Sequence, residues 1–267
     1  MSKIINDKYY TSSELAKYVV DKTKEIIGEE NIKEYIESSA GGGVFLNYLD
    51  KPYLAYDIEP EDSRIEKQDY LSLDLEYKKG RCVIGNPPYG SKNTLAVSFY
   101  KKSIQLGDYI SFILPSSQYN NNQQMYEFDL IHSELISNKG FIDLDKRINL
   151  AFNIYRRNKN GLNKKPNYKL KDVVIKEARK GVKNNVTDGY DIGICSFGWS
   201  LGKETEYIGQ YANEFYLYIN NLKYKDKIIN LIKNTKWKDV VKHMTGTEKI
   251  NQWQVYKYIK EQIPEIN

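Results

Sequence analysis

The stretch "RCVIGNPPYGSKN", residues 81–93, decides how the chain is read. Arg81-Cys82-Val83-Ile84 has the content of a buried strand, and it is closed by an asparagine, two prolines, an aromatic ring and a glycine. Pro87 and Pro88 fix φ and remove two N–H donors. Asn86 presents a side-chain carbonyl at the strand end, beside a proline carbonyl with no competing N–H. The pattern predicts a rigid rim of acceptors that holds a donated amine, with Tyr89 as a face for a planar ring and Gly90 clearing space. Asn-Pro by itself is only a turn signal; the prolines and the ring together make the difference.

Outward from this strand, strands and helices alternate to about residue 156. Thr11 and Ser12 cap an opening helix in which Leu15, Val19 and Ile26 recur at helical spacing. "KEYIES" (33–38) reads as a strand, "AGGG" as a tight turn, "VFLNYLD" (44–50) as the start of a short helix, and "YLAYD" (53–57) as a second strand. A weaker third strand ends near Asp69. The strand of residues 81–86 is the fourth, a helix spans about 95–105, and "YISFILP" (109–115) is the fifth strand. "MYEFDLIHSELISNK" (125–139) reads as helix and "RINLAFNIYR" (147–156) as a last strand. This order predicts an α/β class: a mostly parallel central sheet with helices on both faces, over residues 1–160, and a small α+β extension over residues 161–267. In that extension "NQWQVYKYIKEQ" reads as a helix with Trp253, Tyr256 and Ile259 on its core face.

Composition agrees with a globular chain: of 267 residues, 40% are hydrophobic and 28% charged, and no apolar run reaches the ~18 residues of a membrane span. No secretory h-region opens the sequence, which points to the cytoplasm. Cys82 and Cys195 have no CxxC spacing and read as core residues. With His132 and His243 equally isolated, no metal site is expected. The net charge of +5 conceals a division. Residues 1–80 carry 11 Lys/Arg against 17 Asp/Glu, a difference of −6, whereas residues 156–183 carry 11 against 2, a difference of +9. Such a block is a solvated surface or a phosphate-binding footprint.

In an open parallel sheet, ligands bind beyond the carboxyl ends of the strands. Those ends carry Glu37-Ser38-Ser39-Ala40-Gly41-Gly42-Gly43, where glycine lets backbone approach a ligand closely. Asp57 ends the second strand, placed for ribose hydroxyls, and Asp69 the third, placed for an exocyclic amine. Taken singly, each acid also reads as a cap or turn residue.

The residues now resemble a known family, the S-adenosylmethionine-dependent adenine-N6 DNA methyltransferases. Their amino-methylating motif stands here as Asn86-Pro87-Pro88-Tyr89, their glycine motif as "ESSAGGGVFL", and their N-terminal motif as "YYTSSELA". The order is that of the gamma class, and the resemblance covers about residues 8–156. Gly42 departs from the Asp often found between the family's glycines. "GICSFGW" and "NQWQVYKYI" look like C-terminal parts of small phage-type adenine methylases. The resemblance implies a Rossmann-like methyltransferase fold, S-adenosylmethionine as cofactor and DNA as partner. It implies Asn86, Pro87, Pro88 and Tyr89 as catalytic residues. Tyr10, Thr11, Glu37, Ser38, Ala40, Gly41, Gly43, Phe45, Asp57, Asp69, Tyr70 and Asn86 would hold the cofactor. Lys92, Arg156, Arg157, Lys159 and Trp199 are the expected nucleic-acid contacts. Methylation of ribosomal RNA adenine, cytosine N4 or a protein glutamine amide uses the same clamp and stays open, as does a non-catalytic relative. Cytosine-N4 enzymes more often carry Ser at the position of Asn86. No nuclease motif is present, so a restriction partner would be encoded elsewhere.

Overall fold

The computed structural model describes residues 11–136, 150–182, 185–241 and 247–266, in two compact units, Met1–Pro166 and Asn167–Asn267. In the first, a seven-stranded sheet is built from β1 (Glu34–Glu37), β2 (Tyr53–Asp57), β3 (Glu66–Lys67), β4 (Arg81–Gly85), β5 (Tyr109–Pro115), β6 (Asp129–Ile136) and β7 (Leu150–Arg156). Its order is β3-β2-β1-β4-β5-β7-β6. The strands from β3 to β5 pair in parallel, and β7 runs antiparallel to both neighbours. This is the mostly parallel Rossmann-like sheet expected, and the chain leaves β1 in both directions, which makes the carboxyl ends of β1 and β4 the topological switch point.

Alternation along the strands sends side chains to two cores. Val83, Ile110, Phe112 and Tyr155 pack with Phe99 and Tyr100 of α2 (Thr94–Leu106), while Cys82, Ile84, Ile113 and Phe152 pack with Leu15, Val19 and Val20 of α1 (Ser13–Ile27). Among the described residues, one α-helix covers each face. α1 begins where the cap signal predicts: Ser12 Oγ accepts from Leu15 N–H at 3.3 Å.

Three local readings are corrected. Residues 129–136 form a strand, not part of a helix; residues 137–139 lie outside the described residues. Leu130, Ile131, Leu135 and Ile136 mimic helical spacing, but antiparallel pairing with β7 along the whole strand overrides that local preference. The third strand is only two residues long, and Asp69 caps the 3₁₀ turn Tyr70–Ser72 that follows. The helix expected after the glycine turn is a single 3₁₀ turn, Phe45–Tyr48. The seam between units falls at 166/167 because Asn163 is tied to the first unit: its N–H donates to the Glu127 carbonyl and its side chain to Asp129, both at 2.8 Å.

The second unit is α+β. β8 (Val173–Arg179), β10 (Asn213–Ile219) and β9 (Ile192–Cys195) form an antiparallel sheet. Its Ile175, Ile194, Phe215 and Leu217 share a core with α3 (Leu222–Asn234), α4 (Trp237–Val241) and α5 (Gln252–Gln262). In α5 the buried residues are Val255, Tyr256 and Ile259; Trp253 is only half-buried and stacks on Tyr168 with ring centroids 5.8 Å apart. Cys82 and Cys195 are buried in β4 and β9. Among the described residues, no helix is long and apolar enough to cross a membrane and no cluster of metal-ligating side chains occurs.

Candidate functional site

β1 delivers Glu37 to the switch point and then turns through residues 38–43, where Gly41 (φ 51°) and Gly43 (φ 74°) take the left-handed backbone that favours glycine. Asp57, at the end of β2, stitches this turn in place: Oδ2 accepts the Gly41 N–H and Oδ1 the Glu59 N–H, each at 2.8 Å. Glu37 is fully buried. Its Oε2 and the Ser38 Oγ have no hydrogen-bond partner among the described residues. An orphaned buried polar atom is costly unless a ligand satisfies it.

Burial, and secondarily the Asp57 carboxylate, holds the Glu37 pKa well above the ordinary carboxylate range. That direction favours the neutral acid, an O–H donor, over the carboxylate. In the unfolded chain it ionises near ~4.3. Above that pH the folded state binds more protons than the unfolded one, so stability falls as pH rises toward the folded pKa. Glu37→Gln removes this proton, and the drop in urea midpoint between about pH 5 and about pH 8 is expected to shrink relative to wild type. An unchanged drop would mean that Glu37 is ionised in the folded protein.

Gly85, the last residue of β4, makes room for that carboxyl: a Cβ there would lie 2.4 Å from Glu37 Oε1, and its φ is 144°. Gly85→Ala is expected to lower the unfolding free energy by about 1–3 kcal/mol, read by urea denaturation. Wild-type stability would show that Glu37 moves aside freely.

Directly after Gly85 comes the proline rim. Asn86 Oδ1 accepts from Tyr89 OH at 2.8 Å, its Nδ2 donates to Thr11 Oγ1 at 3.4 Å, and its carbonyl accepts from Ser39 Oγ at 3.2 Å. The amide is thus oriented with its oxygen toward Tyr89. Tyr89 is half-buried, packed against the cores of both sheet faces. Beyond Gly90, Lys92 and Asn93 are both left-handed (φ 52° and 66°), at a cost of ~1–2 kcal/mol for Lys92 and less for asparagine.

These elements enclose a cavity of ≈ 760 Å³. Of the residues expected from the sequence, Thr11, Glu37, Ser38, Ala40, Gly41, Phe45, Asp57, Asp69, Tyr70, Asn86, Pro87 and Pro88 line it; Gly43 and Tyr89 do not. Tyr10 lies outside the described residues. Asp69 is exposed and accepts from the Leu71 N–H at 2.9 Å. Tyr70 turns its hydroxyl to Ser103 (2.8 Å) and stacks on Phe99. The lining also includes Ile58, Gln68, Leu71, Leu95 and Phe99, which the sequence reading missed. The usable signal was Ile58, an apolar residue immediately after the strand-end acid Asp57; in the structure it is exposed. Polar groups at the ends of β1 and β2, an apolar wall and an acceptor rim at β4 suit an elongated ligand: hydroxyls or an amine at one end, a planar ring at the other, and a second, amine-bearing ring at the rim.

The cations divide. Lys92 is exposed beside the rim. Arg156, Arg157 and Lys159 are not brought to the cavity: Arg156 pairs with Tyr109, the first residue of β5, so this end of β7 lies at the amino ends of the parallel strands, opposite the site. Arg156 and Lys159 are exposed there, whereas Arg157 donates to the Ile104 and Gly107 carbonyls and lies over the Phe128 ring at 4.8 Å. It closes the end of α2 and the start of β5. Arg157→Ala is expected to cost on the order of 2 kcal/mol in stability, measured by thermal unfolding; an unchanged midpoint would make those contacts incidental. The basic block of residues 156–183 also straddles the seam between units. In the second unit Trp199 is 89% exposed on a 3₁₀ turn (Gly198–Ser200), with Lys238 Nζ 5.5 Å from its ring centroid.

No family model matches this chain, and no curated protein matches it. Among solved structures it is similar to Thermoplasma acidophilum 1320 (18% identity, 56% of this chain and 88% of that one, TM-score 0.43). It is also similar to a Pyrococcus horikoshii protein described as a candidate RNA methyltransferase (17%, 59% and 91%, TM-score 0.45). A third is the 23S rRNA methyltransferase ErmE (13%, 59% and 72%, TM-score 0.43). At these levels of similarity the functional reading rests on this chain's own residues.

Proposed function

We propose that this chain is an S-adenosylmethionine-dependent methyltransferase acting on the N6 amine of an adenine in DNA, with the target nucleotide turned out of the duplex. The observation that carries this reading is the position of Asn86-Pro87-Pro88-Tyr89 at the carboxyl end of β4, where Asn86, Pro87 and Pro88 line the same cavity as Glu37, Gly41 and Asp57. When bound, the cofactor supplies an electrophilic methyl carbon on a sulfonium; transfer exchanges its C–S bond for an N–C bond, leaving a neutral thioether and one proton.

The chain's residues supply alignment. Asn86 Oδ1 and the Pro87 carbonyl accept the two amine hydrogens, which aims the nitrogen lone pair out of the ring plane. The Tyr89 contact orients the Asn86 amide, whose oxygen carries two lone pairs. On the cofactor side, Asp57 keeps lone pairs for ribose hydroxyls beyond those engaged by Gly41 and Glu59. Ile58, Leu71 and Tyr70 wall a ring, and Glu37 and Ser38 fit the polar end through their unpartnered oxygens. Turning a base out of the stack costs a few kcal/mol. Lys92 is suited to offset that cost through phosphate, and Trp199 through stacking worth about 1–3 kcal/mol.

The test offers labelled S-adenosylmethionine with duplex DNA, single-stranded DNA, ribosomal RNA and protein in parallel, followed by nucleoside digestion. Label in N6-methyladenine from DNA is the expected result. Label in RNA adenine, cytosine N4 or a glutamine amide would keep the clamp and replace the substrate; no transfer to any acceptor would defeat the reading.

A further inference from the structure

The chain between the clamp and α2 is held in a conformation that Lys92 disfavours and that asparagine, of the non-glycine residues, accepts most readily. Lys92 (φ 52°, ψ 32°) and Asn93 (φ 66°, ψ 19°) are consecutive, and neither is glycine. Such backbone persists only where its surroundings over-determine it. Here the surroundings are specific. Asn93 stands at the N-cap of α2, yet its side chain makes no cap bond; it donates instead to Ser117 Oγ at 3.0 Å. Gln124 Nε2 donates to the Lys92 carbonyl at 3.4 Å. Both grips come from residues 116–124, the segment leaving β5.

That segment is itself fastened from below. Gln118 Nε2 donates to Gln124 Oε1 at 2.6 Å. Asn153, fully buried in β7 between Phe152 and Ile154, donates to the Gln118 carbonyl at 2.8 Å and accepts from Ser133 Oγ at 2.7 Å. An apolar residue would be ordinary at such a place. A buried, fully satisfied polar group there specifies one arrangement of what it holds.

What the mounting presents is an exposed cation close in sequence to the clamp, Lys92. We infer that Ser117 and Gln124 are positioning residues for the nucleic-acid substrate. They lock residues 90–93 so that the Lys92 ammonium is ready to meet a backbone phosphate of the strand that delivers the target nucleotide. A loop already ordered loses less freedom on binding than a loose one. The inference rests on the proposed nucleic-acid amine methylation and adds to it the residues that hold its phosphate contact.

A double-mutant cycle tests it, with affinity for an adenine-containing duplex, the salt dependence of that affinity, and KM and kcat for methyl transfer as readouts. Lys92→Ala is expected to weaken DNA binding about tenfold and to lower the salt slope by ~0.9. Ser117→Ala should weaken it about three- to tenfold through KM, with kcat and cofactor affinity near wild type. In the double variant, the Ser117 effect should vanish. Gln124→Ala supplies the same cycle through a separate contact if Ser117→Ala lowers thermal stability. Additive effects in both cycles, with wild-type methylation intact, overturn the inference and leave the proposed function standing. A wild type that methylates no nucleic acid overturns both.

Discussion

Asn86→Ala is expected to lower methyl transfer by at least about 10²–10³-fold, while affinity for S-adenosylmethionine falls no more than several-fold. The two effects separate because Asn86 is the residue assigned to the target amine, whereas the polar groups assigned to the cofactor, at Glu37 and Asp57, stand on other strands. Losing the amide also releases the Tyr89 hydroxyl, which now bonds to Asn86 Oδ1 at 2.8 Å, and the Thr11 hydroxyl contact at 3.4 Å. Part of the loss is then misalignment of the rim itself. The backbone of the rim is carried by Pro87 and Pro88, so the fold should survive, and a thermal midpoint near wild type is the control. Steady-state turnover with DNA, beside calorimetry with the cofactor alone, distinguishes the outcomes. An Asn86→Ala protein of undiminished activity would end the proposed mechanism.

The strand ends were readable because parallel α/β sheets concentrate chemistry there; Asp57 and Asn86 close apolar runs that announce their strands, and Glu37 precedes the glycine turn that marks the end of its own. Gly85 was not readable. Its function is to leave space for Glu37, a residue far away in sequence that becomes a neighbour only when β1 and β4 pair in parallel. Leu95 and Phe99 were hidden for a related reason: on a helix they look like core residues, and only the fold turns them toward the cavity lining.

The distance of Arg156, Arg157 and Lys159 from the cavity has a traceable physical origin. Read as helix, residues 125–139 would make the connection to β7 a crossover, and a crossover returns the next strand parallel, with Arg156 at the cavity end. Because residues 129–136 are instead a strand pairing antiparallel with β7, and β7 is antiparallel to β5 as well, Arg156 arrives at the opposite end. One ambiguous apolar pattern thus decides at which end of the sheet these three residues stand. Lys92, which follows β4 directly, depended on no such choice.

Asp57→Ala should give the converse of Asn86→Ala: cofactor affinity weaker by ~1.5–3 kcal/mol, roughly 10–150-fold, with turnover at saturating cofactor much less affected. Asp57 is 9% exposed at the end of β2, and its two oxygens bind the Gly41 and Glu59 N–H groups. Its removal therefore acts twice. It deletes the acceptor assigned to the ribose hydroxyls, and it unties the glycine turn whose shape brings backbone to the ligand. Asp57→Asn separates these contributions, because the amide keeps one acceptor oxygen for one N–H while losing the charge and the second acceptor. If the ribose contact dominates, Asn and Ala should weaken binding alike; if the turn dominates, Asn should recover about half of the lost affinity. Calorimetry showing wild-type affinity in Asp57→Ala would remove this residue from the cofactor site. In that case the unpartnered oxygens of Glu37 and Ser38 would become the principal polar anchors of the bound molecule.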